Sequence, residues 1–279
     1  MVLPEFVRNT LIKLHWLLSS QFGFDPLRFL RAVRGIPLFL CDWRRFRKGY
    51  CGKLTLLPCF HDRYEEGGTT RDEYFWQDLL VARWIHDARP QKHVDVGSRV
   101  DGFVAHVASF REIEVFDVRP IATQIPGVVF KQADLMQPVA LPSAGGGYCD
   151  SLSCLHAIEH FGLGRYGDPI DPQGYERGIA NMAQLIQPNG RLYLSTPIGQ
   201  ERVEFNANYV FDPRTIIRCA ESSGLLVQEL VVIGAGGETQ KVQPDQETLL
   251  RLAQSRYNLG IFIFTKREHS GAARPTPCV

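Results

Sequence analysis

The sequence predicts an α/β protein: a mostly parallel, seven-stranded sheet of the Rossmann-like type with helices on both faces, preceded by a helical N-terminal extension. Three observations carry that expectation. Residues 93–102 read HVDVGSRVDG, an apolar-alternating run that stops at Gly97, bends at Ser98 and Arg99, and enters a helical pattern at Asp101. A strand that turns directly into a helix at a glycine is how a doubly wound domain opens a ligand site, because a residue without Cβ lets the backbone bend tightly and approach a ligand. From there to residue 265, β-rich runs alternate with amphipathic stretches. The charge is also uneven: residues 1–53 hold ten Lys/Arg against three Asp/Glu, and the remainder holds 21 against 27.

Residues 1–70 are expected to form a basic, aromatic helical extension and connector. Phe6, Leu11, Leu14, Leu17 and Leu18 recur at helical spacing, and Asp25-Pro26 reads as a cap followed by a first-turn proline. Over residues 28–48, Phe39, Trp43 and Phe46 interleave with Arg44, Arg45, Arg47 and Lys48. Such a segment suits either a cap packed on the main domain or an anionic membrane surface. Nucleic acid is not expected, since no binding motif accompanies the charge.

Residues 71–269 make the expected main domain. Thr70 and Glu73 have capping-box spacing ahead of a helix over 74–88, which Pro90 ends. Strands follow at 92–97, 112–117, 127–131, 148–153, 191–195, 225–233 and 261–265. Helices are expected over 101–110, 155–161 and 175–186, and from Asp212-Pro213 to Gly224, with a turn at Pro188-Asn189-Gly190. Residues 270–279 read as a flexible tail.

Composition narrows the class. At 279 residues with 44% hydrophobic content, the chain can bury a full core. It has neither a membrane-spanning apolar run nor the order of a secretory signal. Seven scattered cysteines without a Cys-x-x-Cys pair suit a reduced, cytoplasmic protein, peripheral to the inner membrane face if the basic segment binds lipid.

The glycine turn discriminates among ligands. A dinucleotide site has three glycines, whereas Arg99 stands at the second glycine position here and Asp101 sits at the helix start, where a carboxylate repels phosphate. A phosphate-free ligand fits better, and S-adenosyl-L-methionine is one.

On these residues residues 74–266 resemble a class I S-adenosylmethionine-dependent methyltransferase. The segments YFWQDLLVARWI, HVDVGSRVDGF and EHFGLGRYGDPIDPQG resemble, more closely, the bacterial DUF268 family, which implies no defined substrate. The resemblance implies that Asp95, Gly97 and Ser98 hold the methionine end of the cofactor, with Gly102 allowing close packing. It implies that Asp117 binds the ribose hydroxyls and Asp134 the adenine amino group, with Ser153 at the cofactor edge. Alternatively Asp117 and Asp134 are strand-end and turn residues.

The chemical centre is expected in SCLHAIEHFGLGRYGD, residues 153–168. On a helix, His156 and His160 share a face. His160, or less favourably His156, is the candidate general base for a hydroxyl acceptor, and Glu159 is a candidate either to orient a histidine or to bind the cofactor region. One of these histidines could instead be structural. Arg165, Tyr166 and Asp168 are candidate substrate residues, unless Arg165 and Asp168 form an ion pair that shapes the loop. Glu204 is a further candidate in the stretch after the fifth strand. The expected reaction is O-methylation of a small-molecule or glycan acceptor, and the resemblance suggests a sugar or surface-polysaccharide intermediate. Two alternatives stand beside it: a non-catalytic cofactor-binding scaffold, and a zinc hydrolase using the H-x-x-E-H spacing. A divalent ion at Asp168 is compatible with methyl transfer, but no metal site is assigned.

Overall fold

A computed structural model describes residues 5–268 except 66, 69, 139–146 and 235. The expected tail at 270–279 lies outside the described residues. The chain divides into two compact units, Met1–Thr69 and Thr70–Val279.

The first unit contains α1 (Glu5–Trp16), a π-helical turn (Leu17–Gln21) and α2 (Pro26–Gly49). Asp25 caps α2 by accepting from the amides of Leu27 and Arg28, and Pro26 occupies the first turn, where its missing amide costs nothing. One face of α2 packs on the returning chain. Gly35 lies so close beneath the Phe60 carbonyl that a Cβ would collide with it, and Phe39 meets Phe60 edge-on at 5.4 Å. Asp42 pairs with Arg63.

The second unit opens with α3 (Glu73–Ala88). Its cap is Asp72, which accepts from the Tyr74 amide, and not Thr70 as the spacing suggested. The strands are β1 (His93–Val96), β2 (Ile113–Asp117), β3 (Val128–Gln132), β4 (Cys149–Leu155), β5 (Ile186–Ile198), β6 (Arg202–Glu204), β7 (Asn208–Val210), β8 (Leu225–Ile233), β9 (Thr239–Val242) and β10 (Asn258–Lys266). The helices between them are α4 (Ala105–Ala108), α5 (Gly174–Leu185), α6 (Pro213–Ser222) and α7 (Gln246–Gln254). The segment Val100–Val104, kinked at Gly102 where the backbone is not helical, leads into α4.

The main sheet has eight strands in the order β3-β2-β1-β4-β5-β10-β8-β9, and β6 and β7 form a separate hairpin. Five strands, β1 to β5, run parallel; β10 is antiparallel to both β5 and β8. The eighth strand, β9, and helix α7 were not anticipated. Both are short, and α7 is set by Asp245, which caps it through the Thr248 amide. The Pro188-Asn189-Gly190 turn lies inside β5, where the register against β4 jumps from Cys149–Ile186 to Ser151–Arg191.

Helices cover both faces, giving two core clusters. Val81 and Ile85 of α3 join Phe103 and Val107 over Ile113 and Val115 on one side. Ile179 and Met182 of α5, Ile216 of α6 and Leu249 of α7 join Val94, Leu192 and Phe262 on the other. Central β1 is buried along its whole length, as a strand covered on both faces must be. Because β2 and β4 flank β1, the connections leaving β1 and returning to β4 diverge, opening a crevice at the carboxyl ends of these strands.

Candidate functional site

A cavity of about 570 Å³ fills that crevice. Its wall is contributed by the segments that follow β1, β2, β3 and β4, together with Tyr74 of α3 and the loop carrying Arg165, Tyr166 and Asp168.

The turn after β1 is built around Asp95. This carboxylate is fully buried and accepts from the Ser98 amide at 3.0 Å, the Ser98 hydroxyl at 2.6 Å and the Ser153 hydroxyl at 2.6 Å. Burial pushes its pKa up to about 6, against the pull of the Ser153 and Ser98 donors. Ser98 in turn accepts from the Leu155 amide at 3.1 Å, tying the turn to the end of β4. Asp95 and Ser153 therefore do not line the cavity; they brace its floor. Ser98 reaches the cavity wall, but its hydroxyl is already engaged on both sides. Gly97 takes φ +71°, and a Cβ there would lie 2.9 Å from the Ala157 Cβ. Gly102 is also off the cavity wall: its missing Cβ makes room for the Asp78 carboxylate, 2.5 Å from where that atom would be. Close packing, rather than ligand contact, explains that glycine.

Asp117, at the end of β2, lines the cavity and is gripped by Arg119, whose amide, Nε and Nη2 donate to it at 2.8, 3.0 and 2.6 Å. Arg119 also lies over the Tyr166 ring, 4.3 Å from its centroid. Asp134 lines the cavity after β3, with one carboxylate oxygen accepting from the Met136 amide at 2.9 Å. Asp101 at the helix start is ion-paired to Arg99, 2.9 Å away, which holds its carboxyl below the usual range.

The histidine segment differs from the sequence expectation. No helix runs over 155–161: β4 continues to Leu155, His156 is left-handed at φ +51°, and Ile158–His160 make a single 3₁₀ turn. His156 and His160 thus do not share a helix face, and the inverted zinc-protease geometry, which needs adjacent turns of one helix, is not formed. Instead His156 Nδ1 lies 2.7 Å from the buried Glu159, its Nε2 lies 3.3 Å from Glu73 of α3, and its ring stacks on Tyr74 at 4.3 Å. Tyr257 donates to the same Glu73 at 2.6 Å. Burial disfavours a charge on His156, but the carboxylates of Glu159 and Glu73 outweigh it and raise its pKa to about 10. His156 carries its proton at neutral pH and cannot serve as a base there. Glu159 lies behind it, off the cavity wall.

His160 has the opposite character. Burial, together with the positive charges of Arg165 and His156, lowers its pKa against the pull of Glu159. Its Nδ1 lies 2.8 Å from the carbonyl oxygen of Ala207, in the turn between β6 and β7. A carbonyl can only accept, so Nδ1 bears the hydrogen and Nε2 the lone pair. Arg165 Nη1 donates to the same carbonyl at 2.9 Å. Asp168 does not pair with Arg165; it accepts from the amides of Gly162, Gly164 and Tyr166 and so shapes their loop. Glu204 is off the cavity wall, paired with Arg202 at 3.1 Å.

The cavity gathers Gly97, Ser98, Asp117, Asp134, His156, His160, Arg165, Tyr166 and Asp168 from the sequence candidates. It adds Tyr74, Arg99 and Arg119, which sequence reasoning missed. Arg119 had a local signal, standing two residues beyond a strand-end acid; Tyr74, more than 80 residues from His156, had none.

The family described as "Caenorhabditis protein of unknown function, DUF268" matches residues 135–220, less than half of the chain. That description replaces the expected bacterial attribution, and the match contains the EHFGLGRYGDPIDPQG segment but neither of the two earlier ones. No curated protein sequence matches the chain. Among solved structures, the chain is similar to the N-methyltransferase NodS of Bradyrhizobium japonicum in complex with S-adenosylhomocysteine, at 15% identity over 73% of this chain and 90% of that one, TM-score 0.47. It is similar to the 1,6-didemethyltoxoflavin-N1-methyltransferase of Burkholderia thailandensis, at 11% identity over 88% and 92%, TM-score 0.48. A TehB-like methyltransferase of Corynebacterium glutamicum gives 16% identity over 69% and 88%, TM-score 0.44. Identities this low concern the fold alone.

Proposed function

We propose that the α/β unit is an S-adenosylmethionine-dependent methyltransferase that methylates a hydroxyl of a sugar or surface-polysaccharide intermediate. The observation that carries this reading is one cavity with the strand-end acids Asp117 and Asp134 on its wall and a neutral, oriented histidine, His160, on the same wall. Its volume, about 570 Å³, lies within the range of small-ligand sites.

The residues fit the cofactor. Asp117 accepts three hydrogen bonds from Arg119, leaving about one of a carboxylate's roughly four acceptor positions for a ribose hydroxyl. Asp134 keeps one oxygen beyond its bond to Met136, which suits an adenine amino group. Gly97 presents backbone without a Cβ, and Asp101 at the helix start disfavours a phosphate, in keeping with a ligand that has none. When bound, S-adenosylmethionine supplies an electrophilic methyl group on a sulfonium.

With the cofactor bound, His160 Nε2 would take the proton that an acceptor hydroxyl gives up on methylation. Ala207 fixes the tautomer that leaves this nitrogen basic. Burial, with a smaller contribution from Arg165, keeps His160 neutral until it takes that proton. Tyr166 and Arg165 border the acceptor side and help exclude water. The preference for a sugar rests on the family resemblance.

The test is calorimetric titration of S-adenosylmethionine and S-adenosylhomocysteine into the protein, beside Asp117→Ala. Saturable binding weakened at least about tenfold by the substitution supports the cofactor assignment. Transfer of labelled methyl groups into a glycan fraction, abolished by His160→Ala, supports the acceptor class. Binding without transfer to any fraction favours a non-catalytic scaffold, and no binding to folded protein removes the proposal.

A further inference from the structure

We propose that the first unit docks on an anionic phospholipid surface through the outward face of α2. The inference stands apart from the catalytic reading. The inward face of α2 is settled: Gly35 and Phe39 pack on Phe60. At about 100° per residue, Leu30, Val33, Pro37 and Leu40 fall on the opposite side, and Arg44 and Lys48 continue the same stripe.

That stripe is open to water. Leu30 is 57% exposed, Val33 46% and Leu40 38%. A row of this kind is costly to leave solvated and marks a docking face. The charge on the helix selects the occupant. Arg34, Arg44, Arg45, Arg47 and Lys48 lie away from the inward face, whereas Arg28 donates to His61 at 3.0 Å and lies 3.8 Å from Glu65; the single acid of the helix, Asp42, is paired with Arg63. An apolar stripe that runs into a basic cluster matches the two layers of a leaflet, acyl chains beneath anionic headgroups.

The approach to α2 has the same character. Trp16 is 47% exposed, and Trp favours the headgroup boundary; Phe22, 73% exposed, and Phe24, 48% exposed, add apolar area of the kind an interfacial segment buries. None of the described helices is long and apolar enough to cross a membrane.

The experiment is sedimentation of the full chain with vesicles of phosphatidylcholine alone or with about 30% phosphatidylglycerol, at about 0.1 M and about 0.5 M salt. Binding to the anionic vesicles, weakened by salt, is expected. Replacing Arg44, Arg45, Arg47 and Lys48 with Gln is expected to lower partitioning by about two orders of magnitude or more, since each basic residue near the surface contributes about fivefold. The pair Leu30→Ser and Val33→Ser is expected to lower it about tenfold or more by removing the inserted apolar face. Circular dichroism and thermal unfolding, unchanged in both variants, exclude misfolding as the cause. Equal pelleting with neutral vesicles, binding indifferent to both sets of substitutions, or a lipid-free dimer that the Leu30→Ser and Val33→Ser pair abolishes would overturn the proposal. The last outcome would assign the face to a second copy of the chain.

Discussion

His160 Nδ1 donates to the carbonyl oxygen of Ala207 at 2.8 Å, and this one bond decides which nitrogen of the ring is basic. Ala207 belongs to the turn between β6 and β7, so a hairpin that contributes no side chain to the cavity wall still orients the histidine on it.

The two histidines of the segment are expected to titrate on opposite sides of neutrality. In histidine-selective NMR, His160 should protonate below its ordinary value of about 6.5, because burial and the charges of Arg165 and His156 resist it. His156 should remain protonated until about pH 10. Once an acceptor is known, kcat should fall as pH drops through the His160 transition, and His160→Ala should lower it by about 10²–10⁴-fold. Coincident titration of both rings near pH 6.5 would contradict this electrostatic picture.

Stability should fall on both flanks of neutral pH, for reasons of opposite sign. His156 has a raised folded-state pKa, so its contribution is fully present below about pH 6.5 and is lost as pH rises toward about 10. His93 is buried, with Ser151 at 2.8 Å, and burial lowers its pKa to about 3. The unfolded chain therefore takes up a proton that the folded one refuses, and stability is lost as pH falls from about 6.5 toward 3. Urea titrations across pH should show slopes up to about 1.4 kcal/mol per pH unit for each group. His156→Gln should flatten the alkaline side alone.

Glu159→Ala should destabilise the α/β unit by about 3–5 kcal/mol, because it leaves the buried His156 charge short of its nearest partner, 2.7 Å away. Chemical denaturation reads the loss directly, and a change under about 1 kcal/mol would mean that Glu73 alone neutralises His156.

Ser153→Ala removes a 2.6 Å donor from the fully buried Asp95. A loss of about 1.5–3 kcal/mol is expected, with the Asp95 pKa moving above its present value of about 6. Carboxylate-resolved NMR and urea unfolding check the two halves separately.

Gly97→Ala should cost about 1–3 kcal/mol, since φ +71° is unfavourable for any residue with a Cβ and that atom would meet the Ala157 Cβ at 2.9 Å. Denaturation by urea measures the cost. Weaker cofactor binding in the same variant would reflect displacement of the turn.

The sequence by itself determined the local elements and the rim of the site. Strand alternation, the glycine at 97, the cap at Asp25 and Asp212-Pro213 are short-range signals, written in the residues that respond to them. Because strand ends are local, the position of Asp117 at the end of β2 and of Asp134 just after β3 was legible too. The histidine segment misled: its spacing suits a helix, but β4 extends to Leu155 and takes the first residues into the sheet. Only the tertiary structure decided that Asp95 points into the turn, that β10 inserts between β5 and β8, and that Glu73, Tyr74 and Ala207 converge on the histidines. Periodicity reports which face of an element is buried but not which distant element covers it. The charge states of His156 and His160 follow from those distant neighbours, and no local pattern encodes them.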